Sequence, residues 1–239
     1  MNNRSNERLG AVRRRGQLRQ LREGAPFLLT RPVTGALLFF FFMRPFFRRQ
    51  AQIQAQNPTL KVVNFRGNVQ TRLRKLDEGV VDATLLAHAG LIRMEMTEFL
   101  TAVLDMDEML PAVSQGAIGI QCREDDETSL KYLSALNHPE TKTCVDCERA
   151  FLAALDGNCR TPIAGQAVVE GGVLKFKGLL AKEDGSELVR TEAEGNPEDA
   201  VAIGTAAGEK LKSEAPHLVD AFNLSEEEGM LVAPVKAKK

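Results

Sequence analysis

A segment of ten residues carries four basic side chains: Arg66, Arg72, Arg74 and Lys75. They lie where a predicted strand passes into a predicted helix. A helix N-terminus attracts anions through its free N–H groups and its dipole, and the planar guanidinium group can bind a carboxylate through two parallel hydrogen bonds. The cluster is therefore a candidate site for a polycarboxylate or phosphate ligand. A solvated basic helix face is the alternative, and the local sequence alone favours it.

The cysteines offer a second kind of chemistry. Cys144 and Cys147 form a CxxC pair, and with Cys122 and Cys159 they could supply the four thiolates of a zinc site. A CxxC without a matching second pair is weak support for a metal, and both thiols fall on the apolar stripe of a predicted helix. We therefore expect small core residues and no bound metal. Cys159 follows a helix stop in a Gly-Asn loop, and its local sequence leaves two interpretations open: a loop thiol or an attachment site for a bulky group.

Composition argues against several classes of function. The 239 residues have a formal net charge of -1, one Tyr and no Trp, so neither bulk charge nor aromatic stacking supports nucleic-acid binding. The apolar run Ala36–Met43 is far shorter than the ~20 residues that a membrane helix requires. The histidines have no metal-ligand spacing and are expected to be structural or surface residues: His88, His138 and His217.

Residues 1–47 differ in composition from the rest of the chain. They are rich in Arg, for example at Arg13–Arg15, and contain few acidic residues. Such a composition is typical of an organelle transit peptide. The low Ser content instead favours an atypical, disordered leader over residues 1–47.

Beyond the leader, the residue pattern predicts an α/β unit. Leu60–Phe65 is a β-branched apolar run that predicts a strand, and Asn68 can cap a helix over Val69–Glu78. Asp82–Ala87 then predicts a second, buried strand. A strand, a helix and a strand over this length indicate a βαβ unit with parallel strands. A further strand is predicted over Ala117–Cys122.

The last part of the chain predicts a small α+β domain. Thr141–Leu155 has the apolar stripe of a helix. Three antiparallel strands follow, over Ile163–Val169, Val173–Leu180 and Glu187–Ala193, and the glycine pair between the first two is typical of a hairpin. An Asn-Pro pair then begins a final helix that ends near Ser213.

Three segments resemble the signature stretches of one known family: Asn64–Leu76 (NFRGNVQTRLRKL), Leu110–Ile120 (LPAVSQGAIGI) and Asp156–Ile163 (DGNCRTPI). The family is that of the hydroxymethylbilane synthases, also called porphobilinogen deaminases. The segments occur in the family's order and at its spacing, although the family usually has Gly at the position of Ser114. The resemblance extends from residue 48 to about residue 222.

The resemblance implies a covalent cofactor and a polyanionic ligand. Members of the family join a dipyrromethane to a cysteine, here Cys159, and then add four porphobilinogen units with release of ammonia to give a linear tetrapyrrole. Each pyrrole ring bears an acetate and a propionate, so the growing polypyrrole requires a cleft lined with cations. The family's ligand-binding arginines match five positions of this sequence: Arg48, Arg49, Arg66, Arg72 and Arg93. We expect these arginines to share one cleft.

The resemblance also implies an architecture of class α/β plus α+β. Residues 48–125 correspond to an incomplete α/β domain of the periplasmic-binding-protein type. Residues 138–225 correspond to the α+β domain that carries the cofactor and a three-stranded antiparallel sheet, and residues 226–239 to a tail. In the family, the strand that matches Ala117–Cys122 pairs within a first domain, so we expect an unpaired edge here.

The family's catalytic Asp lies in a His-Ser-Leu-Lys-Asp type motif, and no segment of this sequence matches that motif. We therefore assign no catalytic residue and interpret the chain as the C-terminal part of the enzyme, without the family's first domain. A transferase is the expected function, with an inactive fragment as the alternative. We expect a monomer in a plastid, or alternatively in the cytoplasm. It should bind porphobilinogen and the growing polypyrrole but neither nucleic acid nor membranes.

Overall fold

The computed structural model describes residues 9–13, 39–42, 47–157 and 161–220. The first part of the chain provides these elements: β1 (Leu9–Arg13), β2 (Phe39–Phe42), α1 (Phe47–Gln56), β3 (Lys61–Asn64), α2 (Val69–Asp77), β4 (Ala83–Ala87), α3 (His88–Arg93) and β5 (Ala102–Val103). The second part provides the others: α4 (Glu127–Ser134), α5 (Pro139–Ala154), β6 (Ile163–Glu170), β7 (Val173–Ala181), β8 (Leu188–Gly195) and α6 (Ala200–Glu214). Short 3-10 helices lie at Thr97–Phe99 and Pro197–Asp199. Among the described helices, none has both the length and the apolar character needed to cross a membrane.

The first sheet is mixed. Its strand order is β3-β2-β4-β1-β5, and β2 runs parallel to both β3 and β4. β1 is antiparallel to β4 and to β5. The predicted strand–helix–strand succession is confirmed as β3, α2 and β4, and β2 lies between its two strands in the sheet. The fold is therefore a mixed α/β fold.

The expectation of a disordered leader over residues 1–47 is wrong for two segments, which form β1 and β2. β1 pairs with β4 along its whole length, and Ala11 and Val12 are buried. All residues of β2 have backbone partners in β3. The high Arg content of this region obscured two short apolar runs, which gain backbone hydrogen bonds by joining a sheet. Residues 14–38 lie outside the described part of the chain.

α2 forms over nearly the predicted residues, because sequence signals close to the helix determine it. Asn68 caps the helix, because its side-chain oxygen accepts a hydrogen bond from the backbone N–H of Thr71 at 2.8 Å. Leu73 joins a buried cluster with Phe65 beneath the helix. Burial of such a side chain stabilises the fold by about 1.5–3 kcal/mol. The cap and the cluster together fix the turn that carries Arg72.

A buried glutamine holds α1 against the segment that follows β5. The side-chain amide of Gln52 donates to the carbonyl of Leu110 at 3.1 Å and accepts from the N–H of Leu110 at 2.9 Å. It also donates to the carbonyl of Arg48 at 3.1 Å. Gln52 thus pairs with Leu110 much as a residue of a neighbouring strand would. This pairing fixes the helix that carries Arg48 and Arg49.

Replacing Gln52 with leucine is expected to lower the free energy of unfolding by about 3 kcal/mol, because the buried N–H and carbonyl of Leu110 lose their partner. The matched control is Gln54→Leu in the same helix, where the side-chain oxygen is buried and makes no hydrogen bond to the described residues. We expect the control to be neutral or stabilising. Urea denaturation measures both effects, and equal losses in the two variants would contradict the role of Gln52.

The second sheet is antiparallel, with the strand order β6-β7-β8, as predicted. Gly171 and Gly172 connect β6 to β7 with φ values of 59° and 81°, in the left-handed region that this tight hairpin requires. α5 and α6 pack against the sheet. The core between them contains Phe151 and Leu211, packed with Phe176 of β7.

α5 and α6 cross with their main chains in contact. A Cβ atom added at Gly204 would lie 2.0 Å from the carbonyl oxygen of Cys147, and one added at Gly208 would lie 2.6 Å from the Cβ of Ala154. No larger side chain fits at either glycine unless the helices separate. The crossing therefore holds α5 along the half that leads to the loop containing Cys159.

The prediction of a strand over Ala117–Cys122 is wrong. Residues 117–122 form no strand in the described structure, and the side chains of Ile118 and Ile120 are 88% and 59% exposed. A strand requires a neighbour that satisfies its backbone hydrogen bonds, and none of the described strands pairs with this segment. The unpaired edge that we expected is therefore an exposed irregular segment. The next element, α4, likewise buries none of its residues.

The two parts of the chain share a small core. Side chains from both parts form it: Ala51, Leu110, Ala164, Leu179 and Ala181. The carbonyl of Pro111 also accepts a hydrogen bond from the N–H of Gly165 in β6 at 3.2 Å. α1 is thus fixed relative to the second sheet as well as the first.

Candidate functional site

Three arginines form one electrostatic cluster at the beginning of two helices. Arg48 and Arg49 lie in the first turn of α1, and Arg72 lies near the beginning of α2. Burial, together with the nearby positive charges of Arg48 and Arg72, lowers the pKa of Arg49 to about 9. Neither helix has an acidic residue in its first turn. Guanidinium groups and helix N-termini therefore combine to favour an anion here.

Backbone and amide groups orient these side chains. Nη2 of Arg49 donates to Oε1 of Gln115 at 3.4 Å. Nε of Arg72 donates to the carbonyl of Gly67 at 2.9 Å, and burial lowers the pKa of Arg72. The guanidinium groups of Arg49 and Arg72 are thus held in defined positions before any ligand binds, which reduces the entropy that binding must overcome.

The other two predicted arginines lie at the surface. Arg66 is exposed in the loop between β3 and α2, where its carbonyl accepts a hydrogen bond from Nζ of Lys75 at 3.2 Å. Arg93 is exposed in the last turn of α3. The structure thus brings together Arg48, Arg49 and Arg72. That Arg66 and Arg93 join these three arginines in one cleft stays a prediction.

Cys159 lies among residues 158–160, outside the described part of the chain, but both flanks of its loop are described. Gly157 follows α5 and packs closely against β6. A Cβ atom added at Gly157 would lie 2.4 Å from Cδ1 of Ile163. Leu155 and Thr161 are buried on either side. The ends of the loop are therefore anchored in the second sheet and its helix.

The CxxC pair belongs to the core, as predicted. Cys144 and Cys147 are buried in the cluster that α5 forms with the second sheet. Burial, with a smaller contribution from the neighbouring Glu148, raises the pKa of the Cys147 thiol to about 12. A thiol with so high a pKa is a poor nucleophile and a poor metal ligand at neutral pH. Within the described residues, no group of three or more His, Cys, Asp or Glu side chains is arranged to hold a metal ion.

The histidines have structural or surface positions. His138 caps α5, since its Nδ1 accepts a hydrogen bond from the N–H of Thr141 at 3.2 Å. Nε2 of His217 lies 2.8 Å from the carboxylate of Glu187 at the surface. His88 is half-buried at the beginning of α3.

Two buried polar residues that support the site were not predicted from the sequence. Gln52 fixes α1, and Glu148 is a buried carboxylate of α5. A usable signal existed for Glu148, because it lies beside Cys147 and one turn before Phe151 on the apolar stripe of its helix. A charge on a core-facing stripe has to be satisfied by specific hydrogen bonds.

Two family models match successive segments of the chain. Residues 46–131 match the dipyrromethane cofactor-binding domain of porphobilinogen deaminase. Residues 142–213 match the C-terminal domain of porphobilinogen deaminase. The three clustered arginines lie in the first matched segment, and Cys159 lies in the second.

Curated relatives agree with these matches. The chloroplastic porphobilinogen deaminase of Oryza sativa subsp. japonica is 59% identical over 172 residues, covering 70% of this chain and 48% of that protein. The chloroplastic protein of Pisum sativum is 56% identical over 172 residues, covering 70% and 47%. The porphobilinogen deaminase of Paracoccus denitrificans is 48% identical over 169 residues, covering 71% and 54%. The chain spans about half the length of the curated relatives it matches. With two successive domains and all three relatives in agreement, the chain belongs to the porphobilinogen deaminase family.

Proposed function

We propose that this chain is a transferase of the hydroxymethylbilane synthase type. It would hold a dipyrromethane cofactor through Cys159 and polymerise porphobilinogen to a linear tetrapyrrole with release of ammonia. The observation that carries the proposal is the placement of Arg48, Arg49 and Arg72 near the beginnings of α1 and α2, inside the segment that matches the cofactor-binding domain. The family matches and the relatives named above support it.

The donor set fits a pyrrole polycarboxylate. Each added ring brings two further carboxylates, so the ligand gains negative charge as it grows. Guanidinium groups bind carboxylates in a planar, bidentate manner, and the interaction is stronger where water is excluded, as around Arg49. Arg48, Arg49 and Arg72 would bind ring carboxylates, and the exposed Arg66 and Arg93 would extend the same surface.

Cys159 would provide the covalent attachment point. Its sulfur would hold the cofactor through a thioether. When bound, the dipyrromethane would offer the pyrrole carbon to which the next porphobilinogen unit bonds as ammonia leaves. The described residues would bind and orient the ring carboxylates, and we assign none of them as a catalytic acid or base.

The proposal also covers the domain architecture and the cellular location of the chain. We propose that residues 48–125 correspond to its periplasmic-binding-protein-like domain, residues 138–225 to its cofactor-attachment domain and residues 226–239 to a tail. The matched segments 46–131 and 142–213 support this division. The names of the two plant relatives support a plastid location. We also propose a monomer that binds neither nucleic acid nor membranes.

Incubation of the purified chain with porphobilinogen tests the proposal. We expect intact-mass analysis to show an added pair of pyrrole units, and peptide mapping to place them on the peptide that contains Cys159. Uroporphyrin fluorescence after oxidation of the product measures turnover. The absence of both an adduct and calorimetrically detectable porphobilinogen binding would overturn the proposed function.

A further inference from the structure

The buried carboxylate of Glu148 connects α5 and β6 to the loop at Ser114. Glu148 of α5 is only 6% exposed. Its Oε2 accepts a hydrogen bond from the N–H of Ser114 at 2.6 Å, and its Oε1 accepts one from the N–H of Ala167 in β6 at 2.8 Å. Hydrogen bonds from N–H groups to an ionised carboxylate are stronger than those between neutral groups. Glu148 therefore ties the loop at Ser114 to both α5 and β6.

Ser114 has a backbone conformation that it would not adopt readily by itself. Its φ is 59°, in the left-handed region that is unfavourable for a residue with a Cβ atom. Its hydroxyl group is buried and makes no hydrogen bond to the described residues, so the side chain does not hold this conformation. The bond from its N–H to Glu148 stabilises this conformation, together with a longer bond of 3.2 Å from the N–H of Ala117 to its carbonyl.

The conformation of Ser114 determines where the next side chain points. Gln115 follows directly, and its Oε1 accepts the hydrogen bond from Nη2 of Arg49 at 3.4 Å. Its N–H donates to the carbonyl of Ala112 at 2.9 Å, which closes a turn around Ser114. A change of φ at Ser114 would break this turn and move the amide away from Arg49.

We infer that Glu148 is a positioning residue, which holds Ser114 in the left-handed conformation and thereby presents Gln115 to Arg49. It links α5, the helix that precedes the Cys159 loop, to the arginine cluster. The inference rests on the proposed function only for the identity of the ligand. A purely structural role is the competing explanation, in which Glu148 does no more than join α5 to β6 through Ala167.

Ser114→Gly separates these explanations. Glycine adopts positive φ without steric cost, so the hydrogen bond to Glu148 is no longer needed to keep this position in the left-handed conformation. The bond from Ala167 to Glu148 is untouched by the change. The substitution also removes no hydrogen bond of the serine side chain to the described residues.

The experiment compares the full chain with Glu148→Gln, Ser114→Gly and the double variant. Residue-resolved amide exchange and the calorimetric Kd for porphobilinogen are measured for each. Glu148→Gln replaces one acceptor oxygen with a donor, and we expect exchange at Ser114 and Gln115 to accelerate roughly tenfold or more and the affinity to fall about tenfold. When Glu148→Gln is added to the Ser114→Gly variant, it should lower the affinity by less than about threefold. Amide exchange at Gln115 should then stay slow. If Glu148→Gln does not fold, Glu148→Asp replaces it in the same cycle.

Three outcomes overturn the inference: unchanged exchange at Ser114 and Gln115, unchanged affinity in a chain that binds porphobilinogen, or equal losses in the serine and glycine backgrounds. If the unsubstituted chain does not bind porphobilinogen, the exchange data decide alone. Accelerated exchange at Gln115 that Ser114→Gly suppresses then supports positioning by Glu148, while the missing affinity counts against the proposed function.

Discussion

A Cys159→Ser variant is expected to carry no covalent pyrrole adduct after incubation with porphobilinogen, whereas the unsubstituted chain carries one. Serine preserves the size of the side chain. Its oxygen, however, is a much weaker nucleophile than sulfur at neutral pH unless a neighbouring base activates it. The adduct should therefore fall below the detection limit of intact-mass analysis, and uroporphyrin formation should stop.

Cys122→Ser provides the matched control for this result. Cys122 is half-buried and lies in the irregular segment 117–122, so it tests whether any accessible thiol accepts the pyrrole. We expect Cys122→Ser to keep the full adduct. An adduct that persists in Cys159→Ser and maps to the peptide of Cys122 would show that the attachment site has been assigned to the wrong cysteine.

An Arg49→Met variant is expected to bind porphobilinogen at least about thirtyfold more weakly, because it removes a buried charge that, under the proposed function, would pair with a ligand carboxylate. Arg49→Lys should retain part of the affinity, since it keeps the charge but loses the planar donor pair. Isothermal titration calorimetry measures both. The control is Arg74→Met on α2, whose exposed side chain pairs with Glu78, and we expect a change of less than about twofold.

The pH dependence gives Arg49 a separate signature. Its pKa in the folded chain is about 9, below the usual value of 12.5. Anion binding needs the charged form, so the affinity should decline as the pH rises through about 9. Stability changes in the opposite direction: above about pH 9 the folded chain releases this proton while the unfolded chain keeps it, so unfolding becomes less favourable as the pH rises.

Arg49→Met should abolish both trends. A variant that stays folded and keeps its affinity would contradict the binding role, and thermal denaturation in the absence of ligand shows whether it is folded.

The elements that the sequence predicts well are those determined by neighbouring residues. The cap at Asn68 fixes the beginning of α2, and the glycine pair at Gly171 and Gly172 fixes the hairpin between β6 and β7. The apolar stripe of α5, with Cys147 and Phe151, is equally local. Each of these signals is contained within a few positions, so no knowledge of distant partners is needed.

The features that the sequence did not reveal depend on distant partners. β1 is a strand because β4 and β5 flank it, although more than sixty positions separate Leu9 from Ala83. Residues 117–122 have the composition of a strand but no described strand beside them. In the site, the pairing of Gln52 with Leu110 and the hold of Glu148 on Ser114 likewise require the tertiary structure. Propensity is overridden wherever such pairing decides the outcome.

The close crossing of α5 and α6 has a consequence for cooperativity. At Gly204 and Gly208, main chain meets main chain, so no layer of side chains can rearrange to absorb a small shift. Separation of the helices would expose the core around Phe151 and Leu211 to water. We therefore expect the two helices to open as one unit. The helix that precedes Cys159 should lose its structure only in the same event as α6, which lies far beyond Cys159 in sequence.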